Sequence, residues 1–178
     1  MMNLPQPDLD IIRKDYEASF EILMSLQEKS KQINARLFLL AKSFRDLSDR
    51  YLEVSRFKET NEMLNRFEEL VNKVQDSEER GNLLYRVEHE TSVHWWRGNL
   101  KDSMARVENN PDTKASLFRE ALADYQRALE SATKIKAETD QDSKLLDRYA
   151  SDIIFKQRVA SDSENILKKI NDCRSRLE

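Results

Sequence analysis

From Ile33 to Val54 the apolar side chains recur at alternating intervals of four and three: Ile33, Leu37, Leu40, Phe44, Leu47, Tyr51 and Val54. That spacing lays one oily stripe along a single face of an α-helix. It would also serve as the seam of a two-stranded coiled coil. Upstream, Pro5 and Pro7 make residues 1–8 an extended lead-in, and Asp8 is placed to cap a first helix from about Leu9 to about Lys31. Its apolar positions are Ile12, Tyr16, Phe20, Leu23 and Leu26. Ser30–Asn34 holds no strong breaker, so the first two helices read either as separate or as one continuous rod.

Downstream the punctuation is clearer. Ser55-Arg56 is a soft interruption before a helix over about Phe57–Val74. Asp76-Ser77-Glu78-Glu79 has the chemistry of a cap, followed by a helix over about Glu78–Arg97 that Gly98-Asn99 would close. A short helix, Leu100–Glu108, leads to Asn109-Asn110-Pro111-Asp112-Thr113, the strongest turn in the chain. Thr113 or Asp112 would cap a helix over Lys114–Lys136. Thr139-Asp140-Gln141-Asp142-Ser143 is a polar connector to a last helix from about Lys144, with Leu146, Tyr149, Ile153, Ala160, Leu167 and Ile170 on one side.

Two segments resemble the tetratricopeptide helix–turn–helix repeat, whose unit is about 34 residues. Phe44-x-x-Leu47-Ser48-x-x-Tyr51 is similar to the first half of the unit, with Phe for Trp and Ser for Gly. Phe57, Thr60, Leu64 and Phe67 follow at second-helix spacings, although Phe67 stands where the family places a small Ala and Asn72 replaces the terminal Pro. The best unit covers about 41–74. A partial second match lies at about 114–133, where Phe118, Ala121, Tyr125 and Ala128 fall on the family's aromatic and Ala positions. Its partner helix is missing, because Pro111 interrupts the expected span. A weaker echo is His94-Trp95-Trp96-Arg97-Gly98. The resemblance implies stacked antiparallel helical hairpins, a TPR-like α-solenoid ending in a long C-terminal helix. Periodicity alone allows an elongated helical bundle or coiled coil instead. Either way residues 1–178 read as a single all-α domain.

Composition supports this class. The 178 residues include only 2 Gly and 3 Pro, none of them between Asp8 and Arg80, against 35% charged residues. An all-β or doubly wound fold would need more turns. The net charge of -3, with both signs interspersed, lacks the basic excess of a general nucleic-acid binder. No apolar run approaches the ~18 residues of a membrane span, and Met1–Pro5 lacks the features of a signal peptide. The single cysteine, Cys173, excludes an intrachain disulfide and any CxxC metal site. A reducing cytoplasmic location is therefore the expectation.

Candidate chemistry is sparse. His89 and His94 are five apart and face different sides of a helix, so they cannot form an HExxH zinc pair; Glu90 and His94 share a face but lack a third ligand. Cys173 reads as a passive thiol. No Gly-rich phosphate loop, GxSxG, kinase or dinucleotide signature is present. No cofactor is expected, and the chain reads as a non-enzyme. Trp95-Trp96 beside Arg97 is the best contact candidate: adjacent helical residues point about 100° apart, so one narrow stripe cannot hold both rings. The opposing reading buries both in a wide face. Among tetratricopeptide proteins some clamp a terminal carboxylate with basic and Asn side chains, and the resemblance puts Arg45 in the basic role. Asp49 stands where the clamp's Asn would lie and would repel a carboxylate, so no such clamp is expected. The functional expectation is an adaptor or scaffold gripping a protein partner through Arg45, Trp95, Trp96 and Arg97. The alternative is a homo-oligomer that self-associates through the Ile33–Val54 stripe.

Overall fold

The computed structural model describes residues 8–25, 31–74, 80–141 and 152–177, with side chains at 8–25, 36–37, 39–72, 91–134, 137 and 163–177. Among the described residues the fold is all-α. The helices are α1 (Leu9–Ser25), α2 (Lys31–Glu53), α3 (Phe57–Val74), α4 (Arg80–Val107), α5 (Pro111–Gln141) and α6 (Asp152–Ser175). The chain divides into two compact units, Met1–Ser77 and Glu78–Glu178, where the sequence reads as one domain.

The first unit is an α2/α3 hairpin with α1 laid against α2. Its turn is built by Ser55, whose φ of 59° is the left-handed conformation that ends many helices. Ser55 N–H donates to Leu52 O and Arg56 N–H to Tyr51 O, both at 2.9 Å. So short a turn makes α2 and α3 antiparallel neighbours. The sequence-derived stripe is the core: Leu37, Leu40, Phe44, Leu47 and Tyr51 are buried, opposite Met63, Leu64, Phe67, Leu70 and Val71. Ile33 lies outside the described side chains, and Val54 is exposed. Phe44 also receives two edge-on rings from α1, Tyr16 at 5.9 Å and Phe20 at 6.1 Å. From Leu37 to Tyr51 the stripe is therefore spent inside the chain's own fold.

Asp8 caps α1 as the sequence implies, its Oδ1 accepting from Asp10 N–H at 3.0 Å. The start of α1 is then stitched to the α2/α3 turn. The Arg56 guanidinium donates to Asp10 (3.0 and 3.1 Å) and to Glu59 (2.6 and 2.9 Å). The Tyr51 hydroxyl lies 3.0 Å from Asp10 Oδ1 and 3.1 Å from Leu9 O, with Arg56 stacked over its ring. Further along, Arg66 on α3 bonds Glu17 at 3.1 Å and covers the Phe20 ring.

The second unit is an α4/α5 hairpin with α6 packed on α5. Gly98 does not end a helix. α4 runs through it to Val107, because Gly98 serves as a point of close helix approach: a Cβ there would sit 2.6 Å from Tyr125 Cε1. The expected break into helices 78–97 and 100–108 is thereby replaced by one rod. The next turn also shifts. Asn110 is the cap, not Thr113 or Asp112; its Oδ1 accepts from Asp112 N–H at 3.0 Å and Thr113 N–H at 3.1 Å. Pro111 then occupies the first helical position, where its missing N–H costs nothing. α5 continues through Thr139 to Gln141, so that part of the expected connector is helical. The expected cap at 76–79 lies outside the described residues.

Small residues bring the helices of this unit together. Ala121, Tyr125, Ala128 and Ala132 form one face of α5, all buried, and meet Ala105 of α4 and Ile166, Ile170 and Cys173 of α6. The Cys173 thiol is pushed up to about 11 by burial and by the nearby Asp102 and Asp172, which keeps it protonated and unreactive at neutral pH.

Candidate functional site

Two carboxylates sit inside the second unit, and neither stood out in the sequence. Asp102 on α4 is buried, within electrostatic reach of Tyr125 and Cys173, yet it is fully engaged. Arg106 Nε and Nη2 donate to its two oxygens at 3.1 and 3.0 Å, and Lys169 Nζ of α6 adds a bond at 3.1 Å. Arg106 also reaches Asp172 at 3.0 Å, and Arg176 closes the chain on Asp172 at 3.3 Å. Arg176 and Arg106 hold the Asp172 carboxyl below its usual range.

Asp124 on α5 is the second. Lys101 Nζ bonds it at 2.8 Å; His94 Nδ1 and Arg127 Nη1 stand at 3.7 and 3.6 Å. Burial opposes its charged form, but His94 and Lys101 together hold the carboxyl below the ordinary value. The Tyr125 hydroxyl donates to Asn99 Oδ1 of α4 at 2.8 Å. The result is a set of polar ties that run from α4 to α5 through Lys101–Asp124 and Asn99–Tyr125, and from α4 to α6 through Asp102–Lys169 and Arg106–Asp172. A buried charge is tolerated when paired and hydrogen-bonded, and such pairs fix register more than they add stability.

The sequence-derived contact residues divide between the two units. Arg45 lies half-buried on α2, and its guanidinium is held by Asp46 at 2.8 and 3.2 Å. Beside it, burial and the acids Glu53 and Asp46 push the Asp49 carboxyl upward. Trp95, Trp96 and Arg97 are all half-buried on α4. Trp95 packs into the core, 5.4 Å from the Tyr125 ring. Indeed every side chain from Thr91 to Ala105 is buried or half-buried, so α4 has a wide covered face and Trp95 belongs to it.

His89 and Glu90 side chains lie outside the described set. Among the described residues no group of three or more His, Cys, Asp or Glu is placed to hold a metal ion, and no helix is long and apolar enough to cross a membrane. Asp102 and Asp124 could have been flagged in the sequence by one signal: each sits at core spacing, Asp102 three residues before Ala105 and Asp124 three residues after Ala121 and four before Ala128. Comparison with protein-family models, curated proteins and solved structures gives no match.

Proposed function

We propose that this chain is a non-enzymatic platform for protein–protein contact, an adaptor or scaffold that offers helical faces to a partner. The observation that carries this reading is the use made of the charged groups. The buried acids Asp102 and Asp124 and the Asp10–Tyr51–Arg56–Glu59 cluster bond across helices, and so hold surfaces rigid instead of converging on a common point. Rigid, pre-organised faces reduce the ordering cost of association. The burial of Leu37 through Tyr51 weighs against self-association through that stripe, since opening it would dismantle the α2/α3 core. A reducing compartment suits the lone buried thiol of Cys173.

Chemical crosslinking of the intact chain in cells that express it, read by mass spectrometry, tests the proposal. Reproducible crosslinks to a defined partner are expected. Trp96→Ala should weaken them while circular dichroism stays unchanged, because Trp96 is half-buried beside Arg97 and Trp and Arg are common interface anchors. An absence of any reproducible partner, or a turnover activity in the purified chain, would count against the platform.

A further inference from the structure

α1 carries apolar side chains on two opposite faces. One face is consumed: Phe20 and Leu23 are buried, and Tyr16 and Phe20 meet Phe44. The other looks outward. Ile11 is 58% and Ile22 64% exposed, and Ala18 between them is exposed as well. At about 100° per residue these three fall within roughly 40° of one another, directly across the helix from Phe20. They make a stripe about 16 Å long. A single exposed apolar residue is ordinary; three aligned opposite a core stripe are the layout of a helix with a second contact.

The charges around the stripe decide what fits it. Among the described residues of this segment, Asp15 lies inside its margin, with Asp8 beside it and Glu21 along the opposite edge, all exposed, and Lys14 is the one base on the same face. Three acids against one base leave the rim at net −2. A second copy of this chain would bring acid rim against acid rim, which like-charge repulsion disfavours. An anionic membrane surface is repelled for the same reason. An amphipathic helix with Lys or Arg flanking its own apolar stripe satisfies both the oily centre and the acidic border.

We propose that the outer face of α1 is a docking surface for a basic amphipathic helix of a partner protein, seated on Ile11, Ala18 and Ile22 and steered by Asp15 and Glu21. This rests on the platform reading and names the surface and the chemistry of its partner.

A synthetic amphipathic peptide with Leu at i, i+7 and i+11 and Lys on its flanks is the probe, titrated by calorimetry against the intact chain. A twin peptide with Glu in place of Lys is the control. The Lys peptide should bind, with affinity that falls as salt rises, and the Glu peptide should not. Ile11→Glu with Ile22→Glu should weaken binding at least roughly tenfold. Both positions are exposed, and circular dichroism verifies the fold. Asp15→Lys with Glu21→Lys should reverse the preference in favour of the Glu peptide. Equal binding of both peptides, no binding of the Lys peptide, or an unaffected Ile11/Ile22 variant overturns the proposal. So does adsorption to phosphatidylserine vesicles, or a dimer in sedimentation that dissolves when Ile11 and Ile22 are changed. The two readings fail separately. Cellular crosslinks that persist in the Ile11/Ile22 variant remove the α1 surface and leave the platform standing, whereas a wild-type chain without crosslinks removes the platform itself.

Discussion

Gly98 shows how one missing side chain sets the spacing of two helices. Its Cα faces the ring of Tyr125, which is fully buried, bonded through its hydroxyl to Asn99 and flanked by Trp95. A methyl at Gly98 would lie 2.6 and 2.7 Å from two ring carbons that have little room to yield. Helix propensity alone favours Ala over Gly by about 1 kcal/mol, while overpacking a tight contact costs about 1–3 kcal/mol. The clash should win. Gly98→Ala is expected to lower the urea-unfolding midpoint, by about 1 kcal/mol of stability once the propensity gain is subtracted; a raised midpoint would mean that the ring gives way. The same residue explains a misreading from sequence. Gly-Asn after a run of helix formers has the composition of a helix end, and only the ring packed against it reveals why the helix continues. Trp95 and Asp102 were obscured for a similar reason: their roles depend on what α5 and α6 bring to them, which local pattern does not encode.

Among the elements, those whose order comes from near neighbours were legible and those fixed by distant partners were not. α3 begins at Phe57 and is helical through Val74 as its own periodicity requires, and α2 carries the four-three stripe at its core from Leu37 to Tyr51. Asn110 in place of Thr113 as the α5 cap reflects a choice among three adjacent capping residues, settled by Pro111 at the first helical position. α6, by contrast, owes its place to apolar contacts with α5 and to the Lys169–Asp102 tie to α4. Removing the charge at Asp102 leaves Arg106 and Lys169 without their shared acid. Both bases are more than a third exposed and regain water, so the cost is expected at about 1–2 kcal/mol, below the 3–5 of a fully buried pair. The element-specific readout is Cys173, the chain's single thiol, which is buried between α6 and α5. Asp102→Asn should speed its labelling by a neutral thiol reagent severalfold under native conditions, after correction for the larger thiolate fraction that loss of the Asp102 charge itself produces. An unchanged labelling rate would show that α6 is held by its apolar contacts alone.

Across the molecule, the paired carboxylates give a common acid response. Asp10 and Glu59 are held low by Arg56, Asp172 by Arg176 and Arg106, and Asp124 by His94 and Lys101 against the effect of burial. A carboxylate whose folded pKa lies below its unfolded value contributes stability that is present above the unfolded value, near 4, and lost as pH falls through the folded one. Asp49 acts in the opposite sense, since burial and its acidic neighbours raise it. Among the described residues, four lowered carboxylates against one raised predict a melting temperature that these acids leave flat above about pH 5 and that drops below about pH 4. A melting temperature that rises on acidification to pH 3 would contradict this assignment. The division into Met1–Ser77 and Glu78–Glu178 has a consequence for how the protein is made. Each unit is assembled from consecutive helices, so neither must wait for a distant stretch of chain to complete its interior. A ribosome moving at ~5–20 residues per second has delivered everything the first unit needs while the second is still being translated. Short-range wiring of this kind favours rapid folding and shortens the interval in which a nascent polypeptide shows its oily side chains to chaperones.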